Sequence, residues 1–178
     1  MNRFLSEENI ALHKEYVRSK RLKYSIIESS LPHLAGKDVR DLYRMKLSVR
    51  DRQDAISLLS DVRLHEIFFS SFSRSDYPRS PAVQRQYGSE ASFLNLLYKR
   101  CISQPYGFVL VYSSEHRIEI DAVSDFERAF RVGTPVLAID TCEHAYFIDY
   151  GFDKERYLLS MLPYLDIARL TADTEQGG

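Results

Sequence analysis

Residues 134–161 read TPVLAIDTCEHAYFIDYGFDKERYLLSM. The apolar run TPVLAI stops at Asp140, and His144 follows four residues later. A short apolar, β-branched run bounded by turn formers reads as a buried strand, which places Asp140 at a strand end. A carboxylate leaving a strand and a histidine about one turn later make half of a metal site. Upstream, GFVLVYSS (107–114) and HRIEIDAVS (116–124) also have strand character, and the short SSEH link between their apolar cores predicts a hairpin. Phe93, Leu96, Leu97 and Cys101 recur at helical spacing over Ser89–Ile102, and a last helix is expected from Lys154 to about Leu170. The closing TADTEQGG has nothing to bury. Residues 81–178 therefore read as an α+β unit, a three-stranded antiparallel sheet flanked by helices.

The N-terminal half has a different pattern. Ile10, Val17, Tyr24 and Ile27 step by helical intervals, Ser6 is a suitable N-cap, and Glu7 and Glu8 sit in the first turn. Pro32 closes this helix near Leu31. After PHLAGK, Leu42, Met45, Ile56, Leu59, Val62, Ile67 and Phe68 predict a second helical stretch over Val39–Phe72, with a break near Ser48. Two long helices and a short loop make an antiparallel hairpin over residues 1–80. SRSDYPRSPAVQRQYG (73–88), rich in proline, serine and arginine, is expected to be an exposed connection at the boundary.

Composition narrows the function. With 24 basic and 25 acidic residues among 178, the formal charge is −1, so no net field draws the molecule to nucleic acid or to an anionic membrane. No stretch approaches the ~20 apolar residues of a membrane span, and the charged N-terminus does not resemble a signal peptide. Two cysteines, Cys101 and Cys142, make no disulfide framework and fit a reducing compartment, so a cytoplasmic protein is expected.

Among His13, His33, His65, His116 and His144, the antiparallel hairpin can bring His13 and His65 together between its helices. Each alone reads more readily as an ordinary core or surface histidine than as a ligand; together with Asp140 and His144 they form a four-donor set.

The segment around His144 resembles the iron/manganese superoxide dismutases, whose C-terminal signature runs D-x-W-E-H-A-Y-Y-x-D-Y. Asp140, Glu143, His144, Ala145, Tyr146, Asp149 and Tyr150 match it. LSEENIALH and SDVRLHEIFF resemble the family's segments around its first and second metal histidines, and QPYGFVLVY resembles its glycine- and tryptophan-rich strand without the tryptophans. The resemblance implies one iron or manganese ion per subunit, bound by His13, His65, Asp140 and His144. It also implies a small anionic or oxygen-derived substrate, superoxide, dismuted to dioxygen and hydrogen peroxide. Glu143 matches the residue that hydrogen-bonds the metal histidine of the other subunit, which implies a homodimer.

The departures from the family cluster around this site. Val17 and Arg21 stand where the family has a channel histidine and tyrosine, and Phe147 replaces that histidine's tyrosine partner. Cys142 replaces a tryptophan; it reads as a small buried apolar residue, placed where a peroxide product could oxidise it. Leu162 and Ile167 fall near other lost tryptophans. Asp61, one turn before His65, stands where iron-type members carry a glutamine that tunes metal-bound solvent. It reads as an acceptor toward that solvent, a further ligand, or a surface aspartate. Arg21 reads either as a cation guiding anions at the channel mouth or as part of the solvated basic run KEYVRSKRLK.

Three functions follow from these residues. The first is a dismutase-like metalloprotein with dismutation weakened by the altered surroundings of the metal. The second is a metal-dependent oxygen or peroxide enzyme acting on another substrate. The third is a non-enzymatic structural or interaction protein on the same fold.

Overall fold

The computed structural model describes residues 4–73, 78–114 and 117–171. Helix α1 (Glu7–Ser30) starts where Ser6 accepts a hydrogen bond from the Asn9 amide, with Glu7 and Glu8 in the first turn complementing the helix dipole. It ends at Leu31 before Pro32, which begins a short 3₁₀ turn. The second helical stretch is two helices. Asp38 and Asp41 form a capping box at the start of α2 (Val39–Arg44). Ser48 then caps α3 (Val49–Ser70) through the Asp51 amide, so the break expected near Ser48 is a new helix start. α1 and α3 pack against each other, and α3 also lies against the sheet.

Residues 73–88 are not one exposed connection. Ser80 caps a further helix, α4 (Pro81–Tyr87), Pro81 occupies its first turn, and Ala82 and Val83 are buried. The Ser80 hydroxyl also donates to the Leu170 carbonyl, 3.0 Å away, tying the segment to the end of the described chain. Residues 74–77 of this expectation, His116 and most of the C-terminal tail lie outside the described residues.

Helix α5 (Glu90–Ser103) leads into β1 (Phe108–Ser113), β2 (Ile118–Val123) and, after an irregular segment, β3 (Leu137–Asp140). The sheet is antiparallel in the order β2-β1-β3, with Phe108 paired to Val123 on one side and Asp140 on the other. Gly107, just before β1, has φ 110°, and a Cβ there would lie 2.1 Å from the Val123 carbonyl oxygen, so only glycine fits. A one-turn helix, α6 (Phe147–Tyr150), precedes α7 (Lys154–Met161).

The last helix is shorter than its apolar spacing predicts. Pro163 has no N–H to donate, and the chain continues as 3₁₀ turns at Leu162–Tyr164 and Ile167–Arg169. Its backbone groups bond instead to the end of α3: the Ser73 amide donates to the Tyr164 carbonyl (2.7 Å) and the Asp166 amide to the Ser71 carbonyl (2.8 Å). One apolar cluster runs through both halves, from Leu64 and Phe68 on α3 to Phe108, Leu137 and Leu158. The observed class is α+β, with a helical N-terminal half and a three-stranded antiparallel sheet flanked by helices.

Candidate metal centre

His13 projects from α1 against the rings of Phe68 and Phe69, with centroids 5.3 and 5.0 Å away. His65, on α3, sits edge-on to Phe108 at 5.1 Å. Asp140 is the last residue of β3, and His144 lies in the 3₁₀ turn Glu143–Ala145 that follows. His13, His65 and Asp140 are buried, while the His144 side chain is 29 % exposed. Asp140 Oδ2 lies 3.2 Å from Nε2 of His13, 3.4 Å from Nε2 of His65 and 3.1 Å from Nε2 of His144. One ligand atom from each of the four residues falls within 4.8 Å of the others.

The polar accounting around this cluster is lopsided. Asp140 Oδ1 accepts from the Cys142 amide (2.8 Å), and the Asp140 carbonyl accepts from the Tyr157 hydroxyl (3.1 Å). Oδ2 of Asp140 and Nε2 of His13, both buried, have no hydrogen-bond partner. Nδ1 of His65 lies 2.7 Å from the Asp61 carbonyl oxygen, which only accepts, so Nδ1 carries a proton, and in the neutral ring the Nε2 lone pair faces Asp140. Buried polar atoms are nearly always satisfied, and a cation at the centre would satisfy all of these at once. Three imidazoles and one carboxylate are a donor set that suits iron or manganese.

Burial opposes a charge on Asp140, yet the neighbouring His13, His144 and His65 hold its carboxyl well below the usual range, so it stays anionic. Burial also lowers His13, despite its Asp140 neighbour. For His65 burial again acts downward, but Asp140 and Asp61 outweigh it and raise the group to about 9.

The remaining residues singled out in the sequence fall in different places. Cys142 is buried with Sγ 3.2 Å from the Gly107 amide, and its own amide braces Asp140. Its thiol is pushed up by burial and by the Asp140 charge, so it is neither a thiolate nor one of the converging donors. Tyr146 stacks on Tyr157 (centroids 4.9 Å, interplanar angle 19°), supporting Asp140 through the Tyr157 hydroxyl. Glu143 is exposed.

Arg21 lies on the hairpin's outer face. It is 63 % exposed and pairs with Glu66 on the outer face of the hairpin, so it belongs to the solvated basic face. Helix geometry gives the reason: at about 100° per residue, Arg21 points about 80° away from His13, whereas Lys20 lies within about 20° of it. Asp61 lies on the other side of His65. It is buried rather than on the surface, and it lies at Nδ1 of His65, on the ring edge opposite the converging donors, so it is not a further ligand.

Spacing from the family pattern missed Tyr16, Lys20 and Tyr157. The Tyr16 ring stacks on His144 (4.4 Å, 25°), and its hydroxyl donates to Asp61 Oδ2 (3.3 Å). Lys20 Nζ is 3.0 Å from the same oxygen. Positions three and seven after His13 share its helix face, a signal present in the sequence. Tyr157 carries no local signal.

A helical half and an antiparallel sheet closing on one carboxylate and three imidazoles define the class of protein to which these features point. Residues 78–172 match the family described as iron/manganese superoxide dismutases, C-terminal domain. The chain belongs to the iron/manganese superoxide dismutase family. A curated relative, "Superoxide dismutase [Fe]" of Cupriavidus metallidurans, is 31% identical over 116 residues, covering 60% of this chain and 57% of the relative. The chain thus spans little more than half the length of that relative. Among the described residues, no helix is long and apolar enough to cross a membrane.

Proposed function

We propose that the protein holds one iron or manganese ion at His13, His65, Asp140 and His144 and acts on superoxide as a dismutase-like oxidoreductase of reduced rate. The observation that carries this reading is the meeting of Asp140 Oδ2 and His13 Nε2, buried 3.2 Å apart and without hydrogen-bond partners. An ion of this kind, when bound, supplies one-electron exchange with a small oxygen species. The chain's part is to bind and orient. The Asp61 carbonyl fixes the His65 tautomer, Cys142 and Tyr157 hold Asp140, and Phe68, Phe69 and Phe108 keep the histidines in apolar surroundings.

The reduced rate is argued from the surroundings. Position 21 points outward, position 17 is a valine, and position 61 offers a carboxylate at Nδ1 of His65 where the family pattern has an amide donor. Proton delivery to a bound oxygen species therefore lacks its family donors. The same departures favour, as a second reading, oxygen or peroxide chemistry on another substrate at the same ion.

Glu143, Phe147 and Ile148 are exposed, and Phe152 just beyond is 80 % exposed, which supports a homodimer through the segment Glu143 to Tyr150. The cysteines are free and buried, which supports a cytoplasmic setting. The test is elemental analysis of purified protein loaded with iron or manganese, paired with a dismutation assay. One ion per chain with slow dismutation supports the proposal; no bound ion overturns it, and a full ion complement without dismutation selects the second reading.

A further inference from the structure

The start of α3 borders a cavity of about 470 Å³. Tyr43 of α2, Arg52, Gln53 and Ile56 of α3, and Glu127 and Arg131 between β2 and β3 line it. Its volume falls within the range of small-molecule sites. Arg52 precedes His65 on the same helix by about 20 Å at the rise of an α-helix, so the cavity is separate from the four donors.

Arg50, Arg63 and Arg117 pair with acidic neighbours, whereas Arg52 and Arg131 form no ion pair among the described residues. Both are nevertheless held in place. Nη2 of Arg52 donates to the Met45 carbonyl at 2.8 Å, and its buried Nε has no hydrogen-bond partner. The guanidinium carbon of Arg131 lies 5.9 Å from the centre of the Tyr43 ring, and Tyr43 is anchored by donating its hydroxyl to the Glu127 carbonyl. Two fixed cations on one wall repel each other, and an anion bridging them turns that repulsion into attraction.

The lining residues select the anion. Two arginines beside the positive end of α3, against the single acid Glu127, leave the wall net positive, which suits the dianion of a phosphate monoester better than one carboxylate. Gln53 and Glu127 offer acceptors for hydroxyl groups, and Ile56 and the Tyr43 ring add a small apolar surface. We propose that this cavity binds a small phosphate monoester bearing hydroxyl groups, with the phosphate between Arg52 and Arg131 and the hydroxyls toward Gln53 and Glu127. Binding there requires no metal ion.

The experiment is isothermal titration calorimetry of the full chain at two temperatures and about 0.15 M salt, with ribose 5-phosphate as the probe and inorganic phosphate for comparison. Ribose 5-phosphate is expected to bind, and Arg52→Met and Arg131→Met each to weaken it about tenfold or more, the loss of one charge-assisted contact. Arg131 is exposed, so its variant decides the case if Arg52→Met does not fold. Arg128→Met removes an exposed charge from outside this wall and should leave the affinity at the wild-type value. Inorganic phosphate should bind about tenfold more weakly than the ester, because it makes no contact with Gln53 or Glu127. No binding of ribose 5-phosphate up to about 10 mM overturns the proposal. So does an affinity that Arg131→Met leaves unchanged or that Arg128→Met lowers as much, and inorganic phosphate binding as tightly as the ester overturns the choice of a monoester.

Discussion

Nε2 of His13, on the first helix, lies 3.2 Å from Oδ2 of Asp140, at the end of the last strand, and both atoms are buried without a hydrogen-bond partner. The fold brings the two together by packing α1 on α3 and α3 on β3. A buried imidazole nitrogen and a buried carboxylate oxygen, both without hydrogen-bond partners, would both be satisfied by a cation between them.

Removing either atom should therefore remove the ion. Asp140→Ala and His13→Ala are expected to cut the metal content of the loaded protein at least tenfold, as measured by elemental analysis, with helical circular dichroism retained. Asp140→Asn keeps the shape and the hydrogen bond from Cys142 but loses the charge, and should fall between these variants and the wild type. Full metal content in His13→Ala would remove the first helix from the site.

Binding of the ion by the folded chain alone raises stability by mass action, about 2.7 kcal/mol when free metal is 100 times its dissociation constant. The melting temperature should rise with added iron or manganese and fall with a chelator. Asp140→Ala should show no such dependence.

Tyr157→Phe deletes the hydroxyl that donates to the Asp140 carbonyl at 3.1 Å in a fully buried setting. The loss should be about 1–3 kcal/mol, because a buried carbonyl is left unpaired. Urea unfolding of the metal-free protein isolates this cost from any effect on the ion. A variant as stable as the wild type would mean that the carbonyl finds another donor.

Cys101 provides a dependence on alkaline pH. Burial pushes its thiol up to about 12 from an ordinary 9.0, so the folded chain keeps a proton that the unfolded chain releases. Its stabilisation is complete below pH 9 and is lost as the pH rises toward 12, with a slope of at most about 1.4 kcal/mol per pH unit. Urea midpoints at pH 8, 9.5 and 10.5 should fall less steeply in Cys101→Ala than in the wild type. Equal slopes would contradict the assignment.

Much of the architecture could be read locally. Ser6 and Ser48 announce helix starts through their amide-capping hydroxyls, and the run ending at Asp140 announces its strand. Pro163 and the Ser80-Pro81 pair carried equally local signals, the end of α7 and the start of α4, but apolar spacing and a polar composition obscured them. The family pattern draws attention to Arg21, which it leaves open between channel mouth and solvated face; the angle around the helix instead places Lys20 beside Asp61. Tyr157 was not legible at all, because its contact with the Asp140 carbonyl exists only once α7 packs beneath the strand end.

The most direct test of the four-residue metal centre is anomalous X-ray diffraction from crystals of the protein loaded with iron or manganese, measured at the absorption edge of the metal. The account predicts a single strong peak per chain, ~2.0–2.2 Å from Nε2 of His13, His65 and His144 and from Oδ2 of Asp140, by analogy with first-row metal–ligand lengths. A loaded crystal with no peak at this point, or with its peak on other residues, would contradict it.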